Sequence, residues 1–154
     1  MALDTAEAVD NKGVGNIASA ALQAGAKRVL LVSSIFVTKR RRFNPLRMLL
    51  NSMIWGMMDQ KLQGEDLLRG SGLSYTVVRP SGLYNGPGGQ HKLLVGQGDE
   101  LSGRVSRADV ADVCIAALRL PQAHNVTMEV IQGAKELDQP GQLDSLFTGL
   151  KADT

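Results

Sequence analysis

The run Val29-Leu30-Leu31-Val32-Ser33-Ser34 is the feature that most limits what this chain can become. It is apolar on both faces. A strand of that kind belongs in a parallel α/β sheet, where helices cover each side, whereas one strand of a half-exposed hairpin would alternate apolar with polar residues. Hydroxyls at the end of such a strand are well placed to meet a ligand, because open α/β sheets bind at the carboxyl ends of their strands. Only one helical segment separates Met1 from Lys27, so this strand is the first in the chain.

A length of 154 residues gives one domain, residues 1–154, around one core. The formal charge of +2 is too small to mark a nucleic-acid partner, although Lys39, Arg40, Arg41 and Arg42, with Arg47 nearby, gather positive charge locally. A single cysteine excludes an internal disulfide, and Cys114 falls at an apolar helical position, as a small core residue would. The two histidines, His91 and His124, are far apart and lack cysteine support, so no metal site is expected. Asp4, Glu7 and Asp10 do not fit a signal or transit peptide, and no apolar run approaches the ~20 residues of a membrane span.

Asp10 reads as the cap of a helix with Val14, Ile17, Ala21 and Ala24 on one face, stopped by Gly25. Asn44 as cap and Pro45 in the first turn open a long helical segment to about Arg69, with Leu46, Leu49, Leu50, Met53 and Met57 in one stripe. Gly56 and Gly64 each cost a helix roughly 1 kcal/mol relative to alanine, which predicts a kink or a close approach at either site, or two helices. Tyr75 to Val78 reads as a second strand, with Arg79-Pro80-Ser81-Gly82 ending its pairing and forming a site loop. Residues 84–103 read as irregular with a short apolar piece at Leu93 to Val95. Ser106 and Asp109 form a capping box before a helix stopped by Pro121. Val126 to Ile131 reads as a third strand and Leu143 to Leu150 as a closing helix.

Several segments together carry a family resemblance. They are Asp10-x-x-Gly13-x-x-Asn16, Val32-Ser33-Ser34, Lys61-x-x-x-Glu65, Ser71-Gly72-Leu73-x-Tyr75-Thr76, Arg79-Pro80-Ser81-Gly82-Leu83, Leu93-Leu94-Val95-Gly96 and Ser106-Arg107-Ala108-Asp109-Val110-Ala111. In this order, over about Asp10 to Ile131, the chain resembles the later two-thirds of atypical short-chain dehydrogenase/reductase proteins, the NmrA-like, small NAD(P)-binding group of plants and bacteria. The resemblance implies a Rossmann-like sheet with Ser33 and Ser34 near the nicotinamide, Lys61 at its ribose, and Pro80, Ser81, Gly82 and Leu83 against its amide. Plastid and cytoplasm are both compatible with it.

The same comparison exposes departures. The proton-transferring tyrosine of the fuller pattern would stand four residues before Lys61, and that position is Met57, while Trp55 offers only a donor. Asp10 occupies the place where wider relatives carry a catalytic asparagine. No catalytic residue is therefore assigned. Gly13-x-Gly15 follows no strand and Gly86-x-Gly88-Gly89 opens no helix, so neither has the context of a phosphate-binding turn. This chain alone is expected to hold no cofactor, with NADP bound only where the missing half is present.

Each candidate also has a plainer reading. Ser33 and Ser34 either contact a nicotinamide or satisfy backbone groups at the strand end. Lys61 is either a vestigial ribose ligand or a solvated charge paired with Glu65. Arg79 reads first as a structural ion pair. The basic run and the Met-rich helix after it form either a peripheral membrane or partner-docking surface, or a helix packed within the fold.

The expected fold is thus α/β: a partial Rossmann-like parallel sheet of about three strands with flanking helices, its first βαβ half missing. An unpaired edge at Val29 to Val32 calls for cover. The leading expectation is a truncated, non-catalytic NAD(P)-binding-like subunit of a larger complex, with a protein partner over that edge and the Met-rich helix. The alternative is an NAD(P)-dependent oxidoreductase whose cofactor-binding half is supplied by another chain or absent from the sequence in hand; a regulatory nucleotide sensor is a third.

Overall fold

In the computed structural model, residues 5–39, 43–53, 56–136 and 143–153 are described. A π-helix (Glu7–Gly13) runs into helix α1 (Val14–Gln23), followed by strand β1 (Val29–Val32), helices α2 (Pro45–Met53) and α3 (Met57–Arg69), and strands β2 (Tyr75–Pro80), β3 (Gly82–Tyr84), β4 (His91–Gly96) and β5 (Arg104–Ser106). Helix α4 (Arg107–Arg119), a short 3-10 turn, strand β6 (Val126–Glu136) and a second 3-10 turn (Leu143–Phe147) complete the order. The main sheet has the order β1-β2-β6-β4. β1, β2 and β6 are parallel and β4 is antiparallel to β6, while β3 and β5 form a separate parallel pair.

Alternation along β2 and β6 sends their side chains into two layers. Val78, Val126, Met128 and Val130 join Val110, Val113, Ala117 and Phe147, so α4 and the last 3-10 turn cover one face. Tyr75 and Val77 join Ala18, Leu68 and Leu73 beneath α1 and α3 on the other. This is the expected α/β architecture, Rossmann-like and flanked by helices on both sides. The sheet has four strands where the sequence predicts about three, and the extra one is β4, in a stretch whose sequence reads as irregular. Its glycine-rich flanks hide a strand that uses the far edge of β6, and β6 itself extends past Ile131 to Glu136.

Local signals account for most helix ends. Asn44 Oδ1 accepts from the N–H groups of Leu46 (3.0 Å) and Arg47 (3.2 Å), and Pro45 follows, as the sequence indicated. The long segment is two helices. Gly56, at φ +75°, lies between them, and Asn51 Oδ1 receives the Met58 N–H at 2.8 Å. Ser106 Oγ accepts from Asp109 N at 3.0 Å at the start of α4, the expected capping box. The closing segment is a 3-10 turn with Phe147 inserted in the core, shorter than the helix expected to Leu150.

Three expectations need correction. Asp10 caps nothing: it lies inside the π-helix, because helical structure begins earlier, where Thr5 Oγ1 accepts from Ala8 N at 3.1 Å. Val14 and Ala21 pack on the core but Ile17 is exposed, and Ala18 takes its place, because the core-facing side of α1 is centred on Val14, Ala18 and Ala21. Finally, Pro80 does not end pairing early. It is the last residue of β2, where a missing N–H costs little, its carbonyl accepts from Ile35 N at 3.2 Å, and Gly82 begins another strand.

Candidate nicotinamide-side site

The three parallel strands bring their carboxyl ends to one side of the sheet, where open α/β folds bind ligands. Ser33 follows β1 there, with its N–H donating to Val78 O at 2.8 Å, and Ser81 follows β2, with its N–H donating to Val130 O at 3.2 Å. Backbone pairing therefore fixes both residues, and neither hydroxyl is needed for it. Both Oγ atoms are buried without a hydrogen-bond partner among the described residues. A buried hydroxyl left unmatched costs free energy, so two on neighbouring strand ends suit a ligand or water that completes them.

Lys61 stands beside Ser33. Its Nζ donates to Asp10 Oδ1 at 2.8 Å, and the two residues line a cavity of ≈ 20 Å³ with Val14, Leu31, Val32 and Ser33. That volume holds about one water molecule, so a larger ligand would meet these groups at the rim. The expected i,i+4 partner of Lys61, Glu65, points elsewhere: it is fully buried and accepts from Arg79 Nε (3.0 Å) and Nη2 (2.6 Å) and from Arg69 Nη2 (2.8 Å). Arg79 thus makes the structural ion pair that the sequence predicts.

Asp10 and Lys61 stand far apart in the sequence, and neither motif that holds them points to the other. The signal was Gly64, one helical turn after Lys61: a Cβ there would lie 2.0 Å from Asp10 O, so only glycine lets the π-helix backbone approach α3 closely enough. The loop after β1 is held just as firmly. Asp99 accepts from Phe36 N (2.6 Å), Thr38 N (3.0 Å) and Thr38 Oγ1 (2.8 Å), and Glu129 in turn accepts from the N–H groups of Asp99, Glu100 (2.9 Å) and Leu101 (2.8 Å). Two buried carboxylates in series hold the segment that carries Ser33 and Ser34.

The remaining candidates are less convergent. Ser34 is half-buried beside Ser33, and Pro80 is buried at the end of β2. Gly82 and Leu83 leave the site to pair with Arg104 and Val105, and Leu83 is largely exposed. Lys39 is exposed, while Arg40, Arg41, Arg42 and Trp55 lie outside the described residues.

These donors fit the nicotinamide half of a dinucleotide: an ammonium held by a carboxylate for ribose hydroxyls, and two unmatched side-chain hydroxyls for a carboxamide. Among the described residues no turn fits the pyrophosphate. Gly13 and Gly15 are inside helices, and Gly89 gives its N–H to Asp109 Oδ1 at 2.7 Å in a loop that opens no helix.

Burial and neighbouring charges displace several groups near the sheet from their ordinary values. Burial pushes the Tyr75 phenol up, reinforced by Asp153, to a pKa of about 12. Burial works against the Arg69 charge, but the carboxylates of Glu65 and Asp153 outweigh it and hold its pKa above the usual value. Burial also raises the thiol of half-buried Cys114, consistent with a packing role.

A family model described as NAD(P)H-binding matches residues 1–121. The chain belongs to that family. It is 39% identical over 149 residues to an uncharacterized chloroplastic protein of Arabidopsis thaliana, covering 92% of this chain and 44% of the relative. It is 34% identical over 128 residues to sanguinarine reductase of Eschscholzia californica, covering 80% and 45%. Among solved structures, a putative NAD-dependent epimerase/dehydratase from Bacillus halodurans superposes with a TM-score of 0.74 at 26% identity, over 96% of this chain and 63% of the other. The chain thus spans less than half the length of these curated relatives. The atypical short-chain dehydrogenase/reductase likeness stands, as does an NAD(P)-binding fold of the reductase/epimerase kind. Among the described residues no helix is long and apolar enough to cross a membrane.

Proposed function

We propose that this NAD(P)H-binding family member works as a non-catalytic interaction subunit, contributing the nicotinamide-side part of the fold to a larger assembly. The observation that carries this reading is the outer edge of β1. β1 ends the sheet, pairs only with β2 among the described residues, and leaves Val32 45% exposed, so the edge offers a template for a further strand. Its occupant is a polypeptide segment of the same NAD(P)-binding type, carrying strands and the phosphate-binding turn. The greater length of the relatives supports this choice. Met57, four residues before Lys61, supplies no proton, which supports a role other than acid/base catalysis. The chloroplastic relatives support placing the protein in a plastid.

Size measurement on the purified chain tests the reading. Self-association, or capture of a supplied N-terminal βαβ segment from the Arabidopsis relative, is the expected result. A stable monomer that binds no apolar dye and ignores that segment overturns it.

A second reading has its own observation in favour, the Asp10–Lys61 pair with the unmatched Ser33 hydroxyl. On this reading the protein is an NAD(P)-dependent oxidoreductase once the other half is present. The bound cofactor would supply a hydride, while Lys61 and the strand-end hydroxyls position its ribose and carboxamide. Titration with NADPH separates the two: micromolar binding, lost in Lys61→Ala and followed by substrate-dependent oxidation, favours the enzyme. Binding without oxidation favours a nucleotide sensor.

A further inference from the structure

Helix α2 is inside out. Arg47, its central cation, is 4% exposed and donates through Nη2 to Asp59 Oδ1 at 2.5 Å and to Val37 O at 3.3 Å, while Asn51, on the same side, bonds Asp59 Oδ2 at 2.8 Å. The polar side of the helix thus faces α3. Leu46, Leu49 and Met53, at helical spacing on the opposite side, are 49%, 53% and 68% exposed. Phe43, just before the helix, is 83% exposed. An amphipathic helix that turns its apolar side outward fits a medium there that is itself apolar.

The charge beside it says which medium. Lys39 is exposed and lines an open cleft with Arg47, Asn51, Ser52 and Asp59, and in sequence Arg40, Arg41 and Arg42 follow it directly. An apolar protein partner would be met by the helix face alone. An exposed lysine with three arginines next in the sequence, ahead of a helix whose apolar side faces out, suits a surface with anions at one depth and hydrocarbon just below. With nine residues, α2 is ~14 Å long, too short to span a bilayer and suited to lying in its plane.

We propose that α2 docks this protein on an anionic lipid surface, with Leu46, Leu49 and Met53 entering the acyl boundary and the exposed Lys39 resting on the headgroups. The contact is peripheral and independent of whether the chain binds a nucleotide. It lies on a different element from the open edge of β1.

The test uses the full chain with vesicles of phosphatidylcholine alone and with phosphatidylglycerol as roughly a third of the lipid. The single tryptophan, Trp55, two residues past α2 in sequence, serves as reporter. Co-sedimentation with the anionic vesicles only, a blue shift of Trp55 emission and weakening by salt are expected. Leu49→Glu with Met53→Glu should abolish binding while leaving the circular dichroism melt unchanged, and Met53→Gln alone provides a milder variant. Lys39→Glu should weaken binding by roughly fivefold or more and flatten the salt dependence. The proposal is overturned by absent binding to anionic vesicles, by equal, salt-insensitive binding to neutral ones, or by competition from millimolar glycerol phosphate, which would mark a free-anion site. Self-association removed by the Leu49/Met53 pair without vesicle binding would overturn it in favour of a protein contact.

Discussion

Glu65 has no exposed surface, and its carboxylate receives Arg79 from β2 and Arg69 from its own helix. Removing it strands the Arg79 guanidinium, 4% exposed, in the interior. Glu65→Ala should therefore cost about 3–5 kcal/mol, read as a lower urea midpoint, whereas Glu65→Leu combined with Arg79→Met should recover much of that loss. Nearby, Tyr75 donates its hydroxyl to Asp153 Oδ2 at 3.0 Å, and the phenol titrates at about 12 in the folded chain against 10.0 ordinarily. Because the folded-state value is raised, the stabilisation is complete below pH 10 and is lost as the pH climbs towards 12: there the unfolded chain gives up a proton that the folded chain keeps. Wild type should lose more stability than Tyr75→Phe over that window in parallel denaturant titrations, and identical pH profiles would contradict the assignment. These pairings were only half legible. Lys61 and Glu65 stand at the spacing of a helical ion pair, yet each found a partner from another element, Asp10 and Arg79, which spacing along one helix does not encode.

At the scale of elements, local chemistry was easiest to read where one residue does the work within its own turn. Asn44, Ser106 and Gly25 mark helix ends in the sequence and mark them in the structure, because a side-chain oxygen on an orphan N–H, or a glycine at φ +69°, needs nothing distant. The π-helix was not legible. Its register follows from packing, with α3 passing so close to Asp10 that Gly64 has no room for a Cβ. β4 was hidden for the opposite reason: glycines on both sides of Leu93 to Val95 signal irregular chain, and only the exposed edge of β6 makes the segment a strand. Gly64→Ala tests the helix contact. Helix propensity alone would favour alanine by roughly 1 kcal/mol, but the new methyl must displace backbone rather than a flexible side chain. A net loss of about 1–3 kcal/mol in a denaturant melt is expected, together with a shift of the Asp10 carboxyl resonance as its contact with Lys61 loosens. A stabilised variant would show that the two helices do not lie this close.

For the molecule as a whole, the question is whether the sheet is complete at β1. Along that strand, Val29 N donates to Ser74 O at 3.0 Å and Ser33 N to Val78 O at 2.8 Å, so the odd-numbered amides turn towards β2. In a parallel ladder alternate residues face opposite neighbours, which leaves the N–H groups of Leu30 and Val32 on the outer side. Hydrogen exchange can read that parity directly. In the chain by itself, the amides of Leu30 and Val32 should exchange much faster than that of Ser33, although all three share one short segment and one degree of local opening. Ordinary fraying cannot produce such a pattern, since it would release neighbours together. Adding a polypeptide that completes the sheet should slow Leu30 and Val32 and barely change Ser33. Equal, strong protection of all three in the isolated chain would mean that the outer edge is already paired, and the interaction-subunit reading would then lose its physical basis.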